Sequence, residues 1–283
     1  MNLFQLPITE KNAVQFLQTK DLLPARMYCE KNHEMKLYFG TSIFWKCSKS
    51  ACRKKINIRH GNLFSNFRIP FVTTIRFFYL WAKELTSIKF CQEELGINKN
   101  TTVKLNNYMR QICARDILKQ PKQKIGGVGF IVEIDESLYT KRKNNAGRVL
   151  PQQWIFGGLC RETKKCFLVK VPDRSAKTLL SAILENIEKG SVIYSDSWRS
   201  YKTEELINAG FEHFKVNHRY NFIDPQTSAH TQTIERLWGS VKWRNKKHRG
   251  TARHFLESYL AEFIWRQEIE ENNYFQRILS IMK

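Results

Sequence analysis

The chain has 283 residues, 42% of them hydrophobic and 13% aromatic, with only 13 Gly and 7 Pro; this excludes collagen-like and disordered chains and supplies apolar surface for packed cores. Forty-seven Lys and Arg against 26 Asp and Glu leave a net charge of +21, an excess that fits a polyanionic partner, because clustered Lys and Arg release the counterions condensed on a phosphate backbone. Seven Cys, an odd number, point to metal ligands or core thiols in a reducing compartment and away from a disulfide scaffold.

From the N-terminus, Met1 to Asn12 lacks the basic-then-apolar order of a signal peptide. The first organised segment, residues 1–62, contains Cys29, His33, Cys47 and Cys52 among alternating residues that read as short strands, Met35-Lys-Leu-Tyr-Phe and Ile43-Phe-Trp-Lys-Cys. Two close pairs of sulfur and nitrogen ligands are what a tetrahedral Zn2+ site needs, and small β segments of this kind fold around their metal. The first pair departs from the usual Cys-x2-Cys knuckle: Asn32 stands where a ligand is expected and His33 must reach around to serve. Cys91, Cys113, Cys160 and Cys166 fall at apolar positions and read as core.

Residues 63–120 read as helices. The most apolar stretch, Ile69 to Ala82, is too short for a membrane span and carries Arg76. Ser87 to Arg110 reads as helix, Gly96 turn and a second helix capped by Thr101, a helix-turn-helix layout with Leu95, Ile97, Val103 and Leu105 as its small core. That second helix is expected to offer Lys99, Thr102, Lys104, Asn107 and Arg110 to a DNA groove. The charge supports the assignment, since residues 1–127 carry 22 basic and 8 acidic side chains.

A linker with Pro121, Gly126 and Gly127 precedes the third block, residues 127–272, which reads strand, strand, strand, helix, strand, helix, strand, helix, an α/β order. The strands are Phe130–Asp135, Gln153–Cys160, Lys165–Val171, Val192–Asp196 and Phe211–Val216. Between them lie a helix capped by Ser175 with apolar residues at 3.6-residue spacing and another from about Ser200 to Asn208; helices at roughly 229–246 and 252–271 follow. Asp135 is expected at the end of the first strand and Asp196 at the end of the fourth. Carboxylates there can converge, because open α/β sheets bind ligands beyond the carboxyl ends of their strands. Glu235 lies near the start of the next helix, sharing a face with Trp238 and Lys242. Three converging acids in a basic protein suit Mg2+ or Mn2+, two of which stabilise the attacking and leaving oxygens of a phosphodiester displacement.

The set Ile131-Val-Glu-Ile-Asp-Glu-Ser137, Trp154-Ile-Phe-Gly-Gly-Leu159, Val192-Ile-Tyr-Ser-Asp-Ser-Trp198, Tyr201 and His230-Thr-Gln-Thr-Ile-Glu-Arg-Leu-Trp238 resembles the DDE transposase domain of Merlin-type DNA transposons and their ISXO-like bacterial insertion-sequence relatives. The resemblance implies an RNase H-like core with a mixed five-stranded sheet, preceded by a zinc-ribbon-like and helix-turn-helix region. It implies cutting of duplex DNA at terminal inverted repeats, transfer of the freed 3′-hydroxyl into target DNA, and a homodimer or higher oligomer on the DNA. Asp135, Asp196 and Glu235 match its three metal-binding acids and Lys242 its downstream basic position. Gln232 and His230 join that corner, where some relatives carry an amide or a histidine.

Two basic runs complete the expected DNA contacts: Lys141-Arg142-Lys143 in the loop after the first strand, and Trp243, Arg244, Lys246 and Lys247, the indole of Trp243 being able to stack on an unpaired base. Two other readings fit the same sequence, a domesticated DNA-binding protein that no longer transposes and a stand-alone RNase H-like nuclease. The protein is expected in the nucleus of a eukaryotic host or the cytoplasm of a bacterium.

Overall fold

The computed structural model describes residues 2–139, 152–217, 229–247 and 253–283, with backbone alone at 244–247, 253 and 271. They divide into two compact units, Met1–Asp116 with Ile269–Lys283, and Ile117–Glu268.

In the first unit, α1 (Glu10–Thr19) starts behind Thr9, whose hydroxyl accepts from the Asn12 N–H at 3.2 Å. Glu10 then does the same for another helix. α2 (Phe71–Ala82) opens at Pro70, which has no side-chain acceptor, and the Glu10 carboxylate takes the Phe71 and Val72 N–H groups at 3.0 and 2.9 Å, a charge well placed against a helix N-terminus. Between these helices in the sequence comes an antiparallel three-stranded sheet, β1 (Met35–Tyr38), β2 (Phe44–Cys47) and β3 (Lys55–Asn57). α3 (Ile88–Leu95) and α4 (Lys99–Lys119) follow, and α9 (Tyr274–Ile281) is tied to α4 by a two-pronged Arg277–Asp116 pair at 2.8 and 3.0 Å. The sequence reading did not anticipate α1, β3 or α9. No helix among the described residues is long and apolar enough to cross a membrane.

The second unit is a mixed five-stranded sheet built from β4 (Ile131–Leu138), β5 (Trp154–Cys160), β6 (Cys166–Val171), β7 (Val192–Asp196) and β8 (Glu212–Val216). Their order is β6-β5-β4-β7-β8: the first three are antiparallel neighbours, and β7 and β8 run parallel to β4. This is the RNase H-like arrangement expected from the sequence. Residues alternate between its two faces. On one face Val132, Ile134, Phe156 and Ile193 pack with α5 (Ala176–Asn186) and α6 (Thr203–Asn208). On the other, Ile155, Leu159 and Leu168 pack with α7 (Gln232–Lys247) and α8 (Leu256–Gln267).

One strand end differs from expectation. β4 does not stop at Asp135; it runs three residues further to Leu138, because β5 continues to pair with it through Trp154. Its pairing with β7 ends at Glu133 and Tyr194, so Asp135 stands beyond the parallel edge while still inside the antiparallel one.

Candidate active site and metal cluster

The register of the parallel pair decides where the first two acids lie. Ile131 faces Val192 and Glu133 faces Tyr194; continued by two residues, the same offset sets Asp135 level with Asp196, on the face covered by α7. Asp135 is held from two sides: its Oδ1 accepts from the Glu136 N–H at 2.7 Å and its Oδ2 from the Trp238 indole N–H at 3.0 Å. Asp196 Oδ1 accepts from the Trp198 N–H at 3.0 Å, which pins the turn leaving β7. Burial lifts the pKa of Asp135 to about 7, and the nearby charges of Asp196 and Glu235 push in the same direction. Asp196 and Glu235 therefore both lie close enough to act on Asp135 through space. Glu235 lies on the solvent side of the first turn of α7.

Gly157 and Trp238 explain each other. Gly157 faces Asp135 across the β4–β5 pair, and a Cβ added there would meet the Trp238 ring at 2.9 Å and Leu168 at 3.0 Å. Only a residue without a side chain lets the indole lie against the sheet and reach Asp135. Lys242, one turn on, places its ammonium 6.0 Å from the Trp238 and Tyr139 rings.

What fixes α7 over this face is Glu133, a fully buried carboxylate. Its Oε2 accepts from the Thr233 and Ile234 N–H groups at 2.8 and 2.9 Å, and its Oε1 from Arg161 Nε at 2.6 Å. Arg161 also donates to the His230 carbonyl at 2.8 Å and lies 4.7 Å from the Tyr194 ring centroid. A carboxylate at a helix N-terminus with a paired guanidinium offsets the cost of burying both charges. His230, expected beside the third acid, has its Nδ1 3.7 Å from Glu133 Oε1; Gln232 is exposed at the first position of the helix. The sequence carried a signal for Glu133, since a charge between Val132 and Ile134 in an apolar strand requires a buried partner.

On the opposite face of β4, burial lifts Glu136 to about 7, with Asp135 and Asp196 adding to the shift. The buried Tyr201 hydroxyl lies beside it and each perturbs the other's titration, yet the pair stops short of a well-formed hydrogen bond, leaving Tyr201 Oη and Glu136 Oε1 without partners. Arg174 is stacked between Trp154 and Trp198 at 4.0 and 4.2 Å from the ring centroids.

The first unit holds a different kind of site. The ligand atoms of Cys29, His33, Cys47 and Cys52 all lie within 4.8 Å of one another, with His33 Nδ1 3.5 Å from Cys29 Sγ and 3.6 Å from Cys47 Sγ. Ligands about 2.3 Å from a tetrahedral centre stand roughly 3.7 Å apart, so the spacing suits a metal. Asn32 makes this possible. It takes a left-handed φ of 57° and donates to the Cys29 carbonyl at 2.8 Å, which turns the chain so that His33 faces Cys29. Met35 and Trp45 pack behind the cluster. The carboxylates of the second unit are not among the described groups that close to this distance.

In the helix-turn-helix segment two expected groove contacts are corrected. Thr102 is fully buried, its hydroxyl donating to the Asn98 carbonyl at 3.1 Å, and Arg110 is 6% exposed. The cap is Asn98, whose side chain takes the Thr101 N–H at 2.9 Å. Asn106 then bonds Thr86 through both its amide groups, fixing a rotation of α4 that turns Thr102 and Arg110 inward and Val103, expected in the core, outward at 42% exposure. Lys99 and Lys104 are exposed and Asn107 is half-buried. Ile97 and Leu105 are buried. Trp243 is 49% exposed, whereas Lys141, Arg142 and Lys143 and the side chains of Arg244, Lys246 and Lys247 lie outside the described residues.

The sheet order β6-β5-β4-β7-β8, with β4, β5 and β6 antiparallel neighbours and β7 and β8 parallel to β4, defines the class as an RNase H-like α/β fold, with Asp196 ending β7 and Asp135 level with it inside β4. The family follows: residues 127–268 match the ISXO2-like transposase domain, and the chain belongs to that family. An uncharacterized transposase-like protein of Haemophilus influenzae is 31% identical over 102 residues, 36% of this chain and 80% of that protein. Among solved structures, the catalytic core domain of BIV integrase aligns over 47% of this chain and 81% of its own, with 15% identity and a TM-score of 0.32. The HTLV-2 integrase catalytic core domain in complex with magnesium, in its trimeric form, aligns over 55% and 86%, with 13% identity and a TM-score of 0.29.

Proposed function

We propose that the protein is a DNA transposase that binds terminal inverted repeats, cuts the phosphodiester backbone and joins the freed 3′ ends to target DNA. The observation that carries this reading is the level placement of Asp135 and Asp196 on adjacent parallel strands, with α7 presenting Glu235 to the same locale. Asp135, Asp196 and Glu235 hold Mg2+ or Mn2+; two such ions, when bound, supply Lewis-acid activation of the attacking oxygen and neutralise the leaving one. The fit rests on the donor set: a carboxylate at Asp135 that burial, and after it the charges of Asp196 and Glu235, make costly to ionise is relieved by a cation beside it. Trp238 orients Asp135, and Lys242 and the half-exposed Trp243 face the DNA strand from the same helix, with Gln232 and His230 at its start. Water attacks in the first step, releasing a 3′-hydroxyl; that hydroxyl attacks a target phosphodiester in the second, and the displaced oxygen leaves as a new 3′ end.

Cys29, His33, Cys47 and Cys52 hold a structural Zn2+. Lys99, Lys104 and Asn107 of α4 contact the repeat DNA, and two chains hold the two ends together.

The test is cleavage of labelled duplex carrying the element's terminal repeats, with Mg2+, Mn2+ or EDTA. Wild type cuts only with metal; Asp196→Asn loses roughly a hundred- to a thousandfold in rate, as removal of a principal charge-stabilising group does, and still binds the ends. Equal cutting by Asp196→Asn overturns the assignment.

A further inference from the structure

The solvent face of the small sheet carries a pattern that the metal cluster does not explain. Register sets Lys36 opposite Lys46 and Lys46 opposite Lys55, a row of three ammonium groups across three strands. Two residues along, Tyr38 stands opposite Phe44 and Phe44 opposite Asn57. The Tyr38 and Phe44 rings are stacked, with centroids 5.8 Å apart and planes 13° from parallel. Tyr38 and its neighbour Phe39 are each 42% exposed. The side chains at Met35, Leu37, Trp45, Cys47 and Ile56 take the other face and pack about the cluster.

Like charges directly opposite one another in a sheet are destabilising, and no acid among the described residues forms an ion pair with Lys36, Lys46 or Lys55. Glu30 is paired with Lys54 at 2.8 Å, off the row, and Glu34 makes no ion pair with Lys36. The ammonium groups of Lys46 and Lys55 instead lie 5.8 and 5.3 Å from the Tyr38 and Phe44 ring centroids, an attraction worth only about 0.5–1 kcal/mol at an exposed site. Three lysines beside the exposed Tyr38 ring and the half-buried Phe44 ring stacked on it are the combination that grips single-stranded nucleic acid: lysines follow the phosphates and aromatic faces take the bases. The rows are two residues, roughly 7 Å, apart, the scale that separates a nucleotide's phosphate from its base. Paired bases inside a duplex are stacked on both faces and have none to offer such rings.

We propose that this face binds a DNA strand with unpaired bases, Lys36, Lys46 and Lys55 taking its phosphates and Tyr38 and Phe44 stacking a base. The proposal rests on the reading of the chain as acting on DNA, and it adds a contact outside the helix-turn-helix segment and the catalytic unit.

The experiment measures anisotropy of a labelled single-stranded oligonucleotide and of the matching blunt duplex with the full chain, across a salt series and without added divalent metal. Three proteins are compared: wild type, the triple variant Lys36→Gln, Lys46→Gln and Lys55→Gln, and the double variant Tyr38→Thr and Phe44→Thr. In the triple variant the slope of log affinity against log salt for single strands falls by about two, and thermal stability is unchanged or higher because the repulsion is gone. In the double variant single-strand affinity falls roughly 5- to 150-fold and duplex affinity is unchanged. Full zinc content in each variant establishes that the ribbon is intact. Single-strand binding like wild type in either variant overturns the proposal, as does an equal loss of duplex binding in the ring variant. No cleavage is read, so a chain that binds through this face and never cuts keeps this inference and sinks the transposase reading alone.

Discussion

The two units solve the problem of gathering ligands in opposite ways. In the first, four thiol and imidazole groups already lie within 4.8 Å of one another, carried by two short turns in a sheet too small to hold them by packing alone. In the second, the acids are spread over two strands and a helix, and what holds them is the large core beneath, with buried Glu133 fastening α7 to β4. Neutral thiols can crowd before a metal arrives; carboxylates cannot, because each ionised neighbour raises the cost of the next. A structural metal site is closed on itself, whereas a site that must admit substrate keeps room, and its precision comes from the scaffold.

Removing the proposed zinc breaks the comparison most sharply. Chelation, or Cys47→Ser, is expected to unfold the β1–β3 sheet outright while leaving the second unit's sheet folded; loss of the small sheet's amide-exchange protection alone checks this, and an unchanged pattern contradicts it. Glu133→Ala is the matching blow to the second unit. It leaves Arg161 without its carboxylate and two helix N–H groups without an acceptor, a cost on the order of 3–5 kcal/mol. Urea unfolding reads it directly: the second unit's transition moves and zinc content does not, whereas a change below about 1 kcal/mol would show that α7 is held by its apolar contacts alone.

A smaller effect sharpens the contrast, because it comes from neither site. His213 lies between Ser195 and Thr203, with its ring nitrogens 2.9 and 3.0 Å from their hydroxyls, and burial, with Lys215 adding to it, lowers its pKa to about 4. The unfolded chain takes up this proton below about pH 6.5 and the folded chain does not, so stability falls as pH drops from about 6.5 to 4. The loss reaches at most about 3 kcal/mol. In His213→Gln that portion of the acid dependence disappears; identical pH profiles for the two proteins would place the acid sensitivity elsewhere.

Much of this was legible in the sequence, for identifiable reasons. The five strands and the helices of the second unit carry apolar runs and 3.6-residue spacings that survive without tertiary context, and the gathering of Cys29, His33, Cys47 and Cys52 was legible from ligand type and spacing. Rotation about a helix axis was not legible. Thr102 and Arg110 are polar and read as solvent-facing, but Asn106 locks α4 in an orientation that only its bond to Thr86 determines. The end of β4 was lost similarly: the acid at Asp135 looks like a terminus, and pairing with β5 carries the strand past it. Glu133 was visible as a charge in an apolar strand, yet its role depends on Arg161 and on a helix about a hundred residues later, and the Gly157–Trp238 fit joins residues similarly remote.

The central claim is that Asp135 and Asp196 share a divalent cation, and Mn2+ binding followed by electron paramagnetic resonance tests it most directly. With zinc content matched, wild type is expected to take up Mn2+ at pH 8, and Asp135→Asn and Asp196→Asn each to lose that binding. Mn2+ bound equally by wild type and both variants would contradict the account.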